Sequence, residues 1–454
     1  MALHVCFLGA AGVPAAGSRD GPTSGGHMNA LDILAERGFL YQLTDAASLR
    51  RCLDERCVTF YVGFDPTGSS LHIGHLLPVM AMRWLQQCGH RVIALVGGGT
   101  AMVGDPSGKT EARPVLSLEE IDANAESLKA QLSRFLDFSS DERAVLLNNA
   151  AWLRGLNYIE FLRDIGRHFS VNRMLAAESV KIRLEAGLSF LEFNYMLLQA
   201  YDFYVLRRDH NCELQLGGQD QWGNIVAGVD LTRRMLGQEV FGATLPLLLK
   251  SDGEKFGKTA VGAVWLDLER TSAYDYYQFW RNVEDAEVPR LLAFFTALPM
   301  VEVRRLGALT APAINRAKEI LAFEATLLAH GFEAARQSYL AAGGEFGFAA
   351  AAAQVETSSR ICEVQAGAAA ESIPTQVLAV GDVASGMPVV KLLVAVGLAQ
   401  SNGEGRRLIQ GGGCYLNDTR VTDDLQVVTN ADLRGGELFV RAGKKNRRRV
   451  VVEG

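Results

Sequence analysis

The sequence predicts an α/β protein. A parallel sheet covered by helices fills residues 28–267, followed by an all-α unit over 268–342, a linking stretch over 343–385 and a small α+β domain over 386–454. Three observations carry this reading. From Met28 to about Asp267, short β-branched or apolar runs alternate with amphipathic helical stretches, the pattern of parallel strands joined by crossover helices. From Thr271 the pattern turns purely helical, with apolar stripes through Tyr274, Tyr277 and Phe279 and later Ile320, Phe323, Leu327 and Leu328. After an alanine tract (Ala349 to Ala353), the last stretch mixes helices through Val389, Leu392, Leu393 and Val396 and around Arg406 to Gln410 with strands at Cys414 to Leu416 and Glu437 to Arg441.

Within the first region, Val58, Phe60 and Val62 form a strand, Asp65-Pro66-Thr67-Gly68 a turn, and Leu76, Leu77, Met80, Trp84 and Leu85 one face of a helix that opens at His72-Ile73-Gly74-His75. A helix N-terminus carries unpaired N–H groups and partial positive charge, so phosphates settle there, and Gly74 is expected to let a nucleotide approach the backbone. Arg91 to Val96 is a buried strand. Ser117-Leu118-Glu119-Glu120 is a capping box that opens a helix with Ile121, Ala125, Leu128, Leu132 and Phe135 inward. Ser189-Phe190-Leu191-Glu192 is another, and the helix it is expected to open sets Tyr195, Gln199 and Asp202 on one face. Leu214-Gln215-Leu216 then runs into Gly217-Gly218-Gln219-Asp220-Gln221-Trp222, a strand end where a ribose can lie against glycine backbone.

At 454 residues, 48% hydrophobic and 21% charged, the chain is globular and long enough for two or three cores. Its formal charge of -6 is uneven: from Ser385 onward eleven Lys/Arg stand against seven Asp/Glu, so the tail is basic and the body acidic. Such a tail suits a polyanion, although a short basic run is commonly just solvated. Seven cysteines without C-x-x-C spacing indicate reduced thiols and a cytoplasmic location. No apolar run approaches the roughly 20 residues of a membrane span. Residues 1–27 are read as a disordered extension without a basic n-region, and Met28 as a possible start.

A second cassette, Lys255-Phe256-Gly257-Lys258-Thr259, places two ammonium groups three residues apart in a polar, glycine-rich loop. Each cassette alone has a plainer reading. K-x-x-K-T is commonly a solvated turn, and H-x-x-H can be a metal pair, but no Cys/His cluster completes a coordination shell, so no protein metal site is assigned. Gly104-Asp105-Pro106-Ser107-Gly108-Lys109-Thr110 fails as a P-loop because Val103 stands where the first glycine belongs. Asp105 can instead meet a substrate cation, or serve only as a turn carboxylate before Pro106.

Together H-I-G-H, K-F-G-K-T, Tyr61-Val62-Gly63-Phe64-Asp65-Pro66-Thr67, Leu198-Gln199-Ala200-Tyr201-Asp202 and Gly218-Gln219-Asp220-Gln221-Trp222-Gly223-Asn224 resemble the bacterial tyrosyl-tRNA synthetases, class I aminoacyl-tRNA synthetases with a Rossmann-like catalytic domain. Five motifs in the family's order, from about Met28 to the C-terminus, carry the resemblance. Phe256, Gly257 and Thr259 depart from the general K-M-S-K-S loop in the tyrosyl manner.

The resemblance implies activation of L-tyrosine by ATP with Mg²⁺ on the phosphates, then transfer to tRNA(Tyr), by a homodimer. Thr67, His72 and His75 would meet phosphates from the helix side, with Gly74 beside them, while Lys109, Arg113, Lys255, Lys258 and Thr259 would close from loops. Tyr61 and Asp202 would bind the substrate phenol and Asp105, Tyr195 and Gln199 its ammonium group. Gly63, Asp65, Gly218, Asp220 and Gln221 would line the remainder of the tyrosine and ATP sites. A pocket built to hydrogen-bond a hydroxyl rejects the analogue lacking it by about 10⁵, a figure for which this family is itself the worked example. The helical unit would read the anticodon and the tail would bind RNA. A tryptophanyl enzyme, another adenylyl transferase and an idle RNA-binding relative are the alternatives. The Tyr61/Asp202 pair, the tail and the intact His and Lys cassettes weigh against them respectively.

Overall fold

The computed structural model describes residues 29–66, 68–105, 117–177, 180–181, 184, 187–249, 256–259, 262–349, 355–364, 375–379, 386–417, 419–433, 436–443 and 446–453. The extension 1–27 lies outside them. The chain divides into two compact units, residues 1–272 with 283–308 and residues 273–282 with 309–454.

The first unit is built on a six-stranded sheet. Its strands are β1 (Gln42–Leu43), β2 (Thr59–Phe64), β3 (Arg91–Val96), β4 (Ala144–Asn148), β5 (Cys212–Gly218) and β6 (Phe241–Leu245), in the order β1-β6-β5-β2-β3-β4. All neighbours are parallel except the edge pair β1 and β6. From β2 the chain proceeds outward through β3 and β4, then returns to the other side of β2 for β5 and β6. The strand order therefore reverses between β2 and β5, and the crevice above their C-terminal ends is where such sheets take ligands. Strands buried on both faces explain the near-continuous apolar runs Phe60 to Val62 and Val92 to Val96.

Helices α1 (Ala30–Glu36), α2 (Ala46–Glu55), α3 (Ile73–Gln87) and α4 (Leu118–Leu132) belong to this unit. Ser117 caps α4 through the reciprocal Glu120 box expected from sequence. The Ser189 box also forms, but it opens only the four-residue helix Phe190–Phe193. Asn194 interrupts: its N–H and its Nδ2 both bond to the Phe190 carbonyl, ending that turn, and a new helix runs Tyr195–His210.

Helices Val288–Phe295 and Met300–Gly307, assigned from sequence to the all-α unit, group with the first unit. The buried Arg37 guanidinium donates to the carbonyls of Ala293 (2.9 Å), Thr296 (3.1 Å) and Leu298 (2.6 Å) and lies 4.0 Å over the Trp84 ring of α3. It satisfies carbonyls at that helix's C-terminal end, and periodicity alone could not foresee this partner.

In the second unit, helices Ala273–Arg281, Ile314–His330 and Phe332–Phe346 pack around Tyr276, Tyr277, Trp280, Ile320 and Phe323. Stretches of the expected linker are anchored. Ala349 N–H donates to Glu319, which also pairs with buried Arg316 (2.9 Å), and Ser359 Oγ donates to buried Glu324 (2.6 Å). Strand β9 (Thr375–Ala379) also falls inside the expected linker. It pairs in parallel with β15 (Asn446–Glu453) at the end of a sheet ordered β12-β11-β14-β15-β9, with β11 at Cys414–Leu416, β12 at Thr419–Arg420 and β14 at Glu437–Ala442. The C-terminal fold thus includes residues before 386. Its core gathers Val389, Leu392, Leu393, Ile409, Leu438 and Val440.

Candidate active site

His72 is the N-cap of α3, and the H-x-x-H spacing works as a capping box with imidazoles. His72 Nδ1 accepts from Gly74 N–H (3.1 Å) and His75 Nδ1 accepts from His72 N–H (3.2 Å). A ring that accepts at Nδ1 carries its proton at Nε2, so both histidines are set as Nε2–H donors at a helix N-terminus. The rings stack with centroids 3.9 Å apart. A Cβ on Gly74 would lie 2.8 Å from His72 Cε1, so this glycine makes room for the imidazole itself.

The second cassette meets the first. Gly257 has φ +86°, and a Cβ there would stand 3.2 Å from Ile73 Cβ and 3.7 Å from Gly74 N. Val264 donates to the Gly257 carbonyl and its own carbonyl accepts from Ile73 N–H, both at 3.0 Å. Strands β7 (Lys258–Thr259) and β8 (Gly262–Ala263) form a hairpin beside the start of α3. The structure describes Lys258 and Thr259 by their backbone; Thr67, Lys109, Arg113 and Lys255 lie outside the described residues.

Tyr61 on β2 is 1% exposed, and its hydroxyl has no hydrogen-bond partner among the described residues. Asp202 is 2% exposed. Its Oδ1 accepts from Trp152 Nε1 (2.7 Å) and its Oδ2 from Asn149 Nδ2 (2.9 Å). Burial pushes the Asp202 carboxyl up to about 7 against the opposing pull of those two donors. Burial, reinforced by the Asp202 charge, also raises the Tyr61 phenol well above its usual range.

Tyr61 pairs across the sheet with Gln215, another buried side chain, whose Oε1 lacks a partner among the described residues. Two residues along the strand, Gly63 is exposed, and no described atom lies within 4 Å of where its Cβ would be. Asp65 follows at the strand end. A Cβ on Gly97, after β3, would come within 2.9 Å of Asp65 Oδ1.

A polar chain closes the other side. Gln221 Nε2 donates to Asp105 (2.8 Å), and Asn224 Nδ2 donates to Gln221 Oε1 (3.3 Å) and Gln199 Oε1 (3.0 Å). Tyr195 is buried at the start of the same helix as Gln199. Glycines make the turn possible, since a Cβ on Gly218 would fall 2.5 Å from Asp220 Oδ1 and one on Gly217 3.1 Å from Gln221 Cβ.

Asn149, Trp152, Gln215 and Asn224 were not singled out from sequence. A signal existed for some: Asn148-Asn149 ends β4 with polar residues, and Gln215 is polar within an otherwise apolar strand. A separate hollow of about 200 Å³, lined by His168, Arg173, Met174, Trp222 and Asp230 among others, lies between helices.

A six-stranded sheet with paired His and Lys cassettes at its switch point defines a class I aminoacyl-tRNA synthetase. The family model described as tRNA synthetases class I (W and Y) matches residues 53–346, and a tyrosine–tRNA ligase SYY-like C-terminal domain matches residues 366–449. The tyrosine–tRNA ligase of Desulfosudis oleivorans is 52% identical over 430 residues, 94% of this chain and 99% of that protein. That of Clostridium beijerinckii is 48% identical over 425 residues, 94% and 100%. A crystal structure of a C-terminally truncated Aspergillus nidulans mitochondrial tyrosyl-tRNA synthetase superposes with TM-score 0.62 at 32% identity, covering 69% of this chain and 93% of that one. An Encephalitozoon cuniculi tryptophanyl-tRNA synthetase shares the fold alone (TM-score 0.51, 13% identity, 67% and 87% covered). The chain belongs to the tyrosine–tRNA ligase family.

Proposed function

We propose that this enzyme joins L-tyrosine to tRNA(Tyr) in two steps, using the residues gathered at the β2/β5 crevice. A tyrosine carboxylate oxygen attacks the α-phosphorus of Mg·ATP, the bond to the β-phosphate oxygen breaks, and pyrophosphate leaves. A ribose hydroxyl of the tRNA 3'-terminal adenosine then attacks the adenylate carbonyl carbon, and AMP departs as the hydroxyl proton is lost. Neither step needs a covalent enzyme intermediate, so the site acts by positioning and by stabilising charge on the leaving group.

The single observation that carries the reading is the Tyr61/Asp202 pair, two buried polar groups at the crevice beside the joined cassettes. In this assignment the phenol hydroxyl donates to Asp202 and accepts from Tyr61, while Asp105, Tyr195 and Gln199 receive the ammonium group. His72 and His75 give Nε2–H bonds to phosphates beside Gly74. Thr67, Lys109, Arg113, Lys255, Lys258 and Thr259 take the further phosphate contacts, and Gly63, Asp65, Gly218, Asp220 and Gln221 line the adenylate. Magnesium arrives as part of the substrate. Lys258 is assigned chiefly to the transition state, where binding lowers the barrier without tightening the ground state.

The homodimer is supported by an apolar surface. Ile159 and Phe190 are each 69% exposed, with Tyr158, Val171 and Leu191 also more than half exposed. Their helices pack inward on one cluster through Phe161, Met174 and Phe193, which brings the outward side chains to one region. A cytoplasmic location is supported by the unpaired thiols Cys52, Cys57, Cys88, Cys212, Cys362 and Cys414. Among the described residues, no helix is long and apolar enough to cross a membrane. The basic C-terminal domain is assigned to tRNA.

Pyrophosphate exchange into ATP tests the assignment. Exchange should require tyrosine and not proceed with tryptophan or phenylalanine; exchange driven by tryptophan would overturn it.

A further inference from the structure

Trp265 sits where the two cassettes join. Its backbone forms an antiparallel bridge with His72, flanked by the Ile73 N–H to Val264 carbonyl bond (3.0 Å) and the Leu266 N–H to Leu71 carbonyl bond (2.8 Å). Its indole meets the His72 ring edge-on, centroids 5.8 Å apart at 65°. The Arg270 guanidinium carbon lies 3.4 Å from the Trp265 ring centroid, and Trp265 N–H donates to Thr271 Oγ1 (3.0 Å). Arg270, Trp265, His72 and His75 thus make a continuous series of planar groups ending at the N-terminus of α3. Along the chain, Trp265 follows β8 by two residues, and β8 pairs with the strand that holds Lys258.

We propose that Trp265 is a positioning residue for adenylate formation: its indole fixes the His72 imidazole at the phosphates, and its backbone bridge keys the lysine hairpin to the same helix end. The inference rests on the reading of His72 and His75 as phosphate donors. The hydrogen bond at Nδ1 orients the His72 ring, and the indole packed edge-on against that ring limits its tilt. His75 supplies a stacking plane, along which a ring can slide; the indole blocks that slide. Arg270 is exposed, so its contact with the indole holds a rotamer more than it stabilises the fold.

The test measures single-turnover tyrosyl-adenylate formation and equilibrium tyrosine binding for Trp265→Ala, Trp265→Phe, Arg270→Gln, His72→Ala and the double variant Trp265→Ala/His72→Ala. A displaced donor of this kind slows chemistry by roughly ten- to a hundredfold, so Trp265→Ala should fall in that range with tyrosine affinity unchanged. Trp265→Phe, which keeps an aromatic edge, should recover most of the rate, Arg270→Gln should lose a smaller part, and the double variant should be little slower than His72→Ala. Equal slowing by Trp265→Ala with and without His72, or loss of tyrosine binding in parallel with the rate, would overturn the proposal. His72→Ala slow with Trp265→Ala at the parent rate overturns the proposal alone. If His72→Ala is not slow, the phosphate-donor reading fails and this inference falls with it.

Discussion

Asp202 is a carboxylate held in the low-dielectric side of a sheet by an indole and an amide, with its proton poised near neutrality. A phenol that donates to it favours the ionised form, so tyrosine binding should release protons. Tyrosine affinity should therefore rise as pH climbs through about 7 and level off above it, whereas phenylalanine, which has no donor, should show no such slope. Asp202→Asn should flatten the tyrosine profile; isothermal titration in buffers of different ionisation enthalpy would read both effects. The stability linkage runs the other way. Because the folded carboxyl keeps its proton up to about 7 while the unfolded one releases it near 3.8, the ligand-free fold loses stability between those values and changes little beyond. Asp202→Asn should accordingly raise Tm more at pH 8 than at pH 4. Asp202→Ala should also cut the kcat/KM preference for tyrosine over phenylalanine by about 1–3 kcal/mol, and an unchanged ratio would remove Asp202 from the phenol site.

Among single elements, the joined cassettes are the most sensitive. Gly257→Ala forces a side chain into a left-handed conformation and against Ile73, a strain of about 1–3 kcal/mol, which should show as slower adenylate formation with tyrosine binding kept. Glu324→Ala leaves buried Ser359 without its acceptor and should speed amide exchange at Ile361 and Val364, leaving tyrosine activation alone.

The elements also show how much the chain discloses. Strands β2, β3, β5, β11 and β14, the α3 start and both cassettes were legible because each is a local pattern: an apolar run, a capping spacing, a glycine at a sharp turn. The partners of Asp202 were not, because Asn149 and Trp152 arrive from the turn and short helix just after β4, some fifty residues upstream. The helical reading of 268–342 took in Val288–Phe295 without resolving it and could not say which core receives it, since buried Arg37 decides that from 256 residues away. Strand β15 was missed because Asn446 to Glu453 reads as a basic run and then a solid apolar one, with no alternation.

For the whole molecule, charge separates the tasks in the proposed assignment, with the basic tail given to tRNA. Removing residues 366–454 should leave tyrosine-dependent pyrophosphate exchange intact while tRNA charging falls and loses its salt dependence, because the phosphate contacts go with the basic tail. In the proposed homodimer, Ile159→Glu on the exposed apolar surface should shift the balance toward monomer by sedimentation. A dimer of undiminished strength would place the interface elsewhere.

Strand β9 has a practical bearing on any dissection of the C-terminal fold. Cutting at residue 386 strips that border from the sheet and bares one side of the eight-residue β15, whose amides would then recruit an extended stretch from a neighbouring copy. A fragment begun near residue 366 brings its own fifth strand and should stay single in solution, whereas the shorter one should self-associate at the concentrations used for spectroscopy.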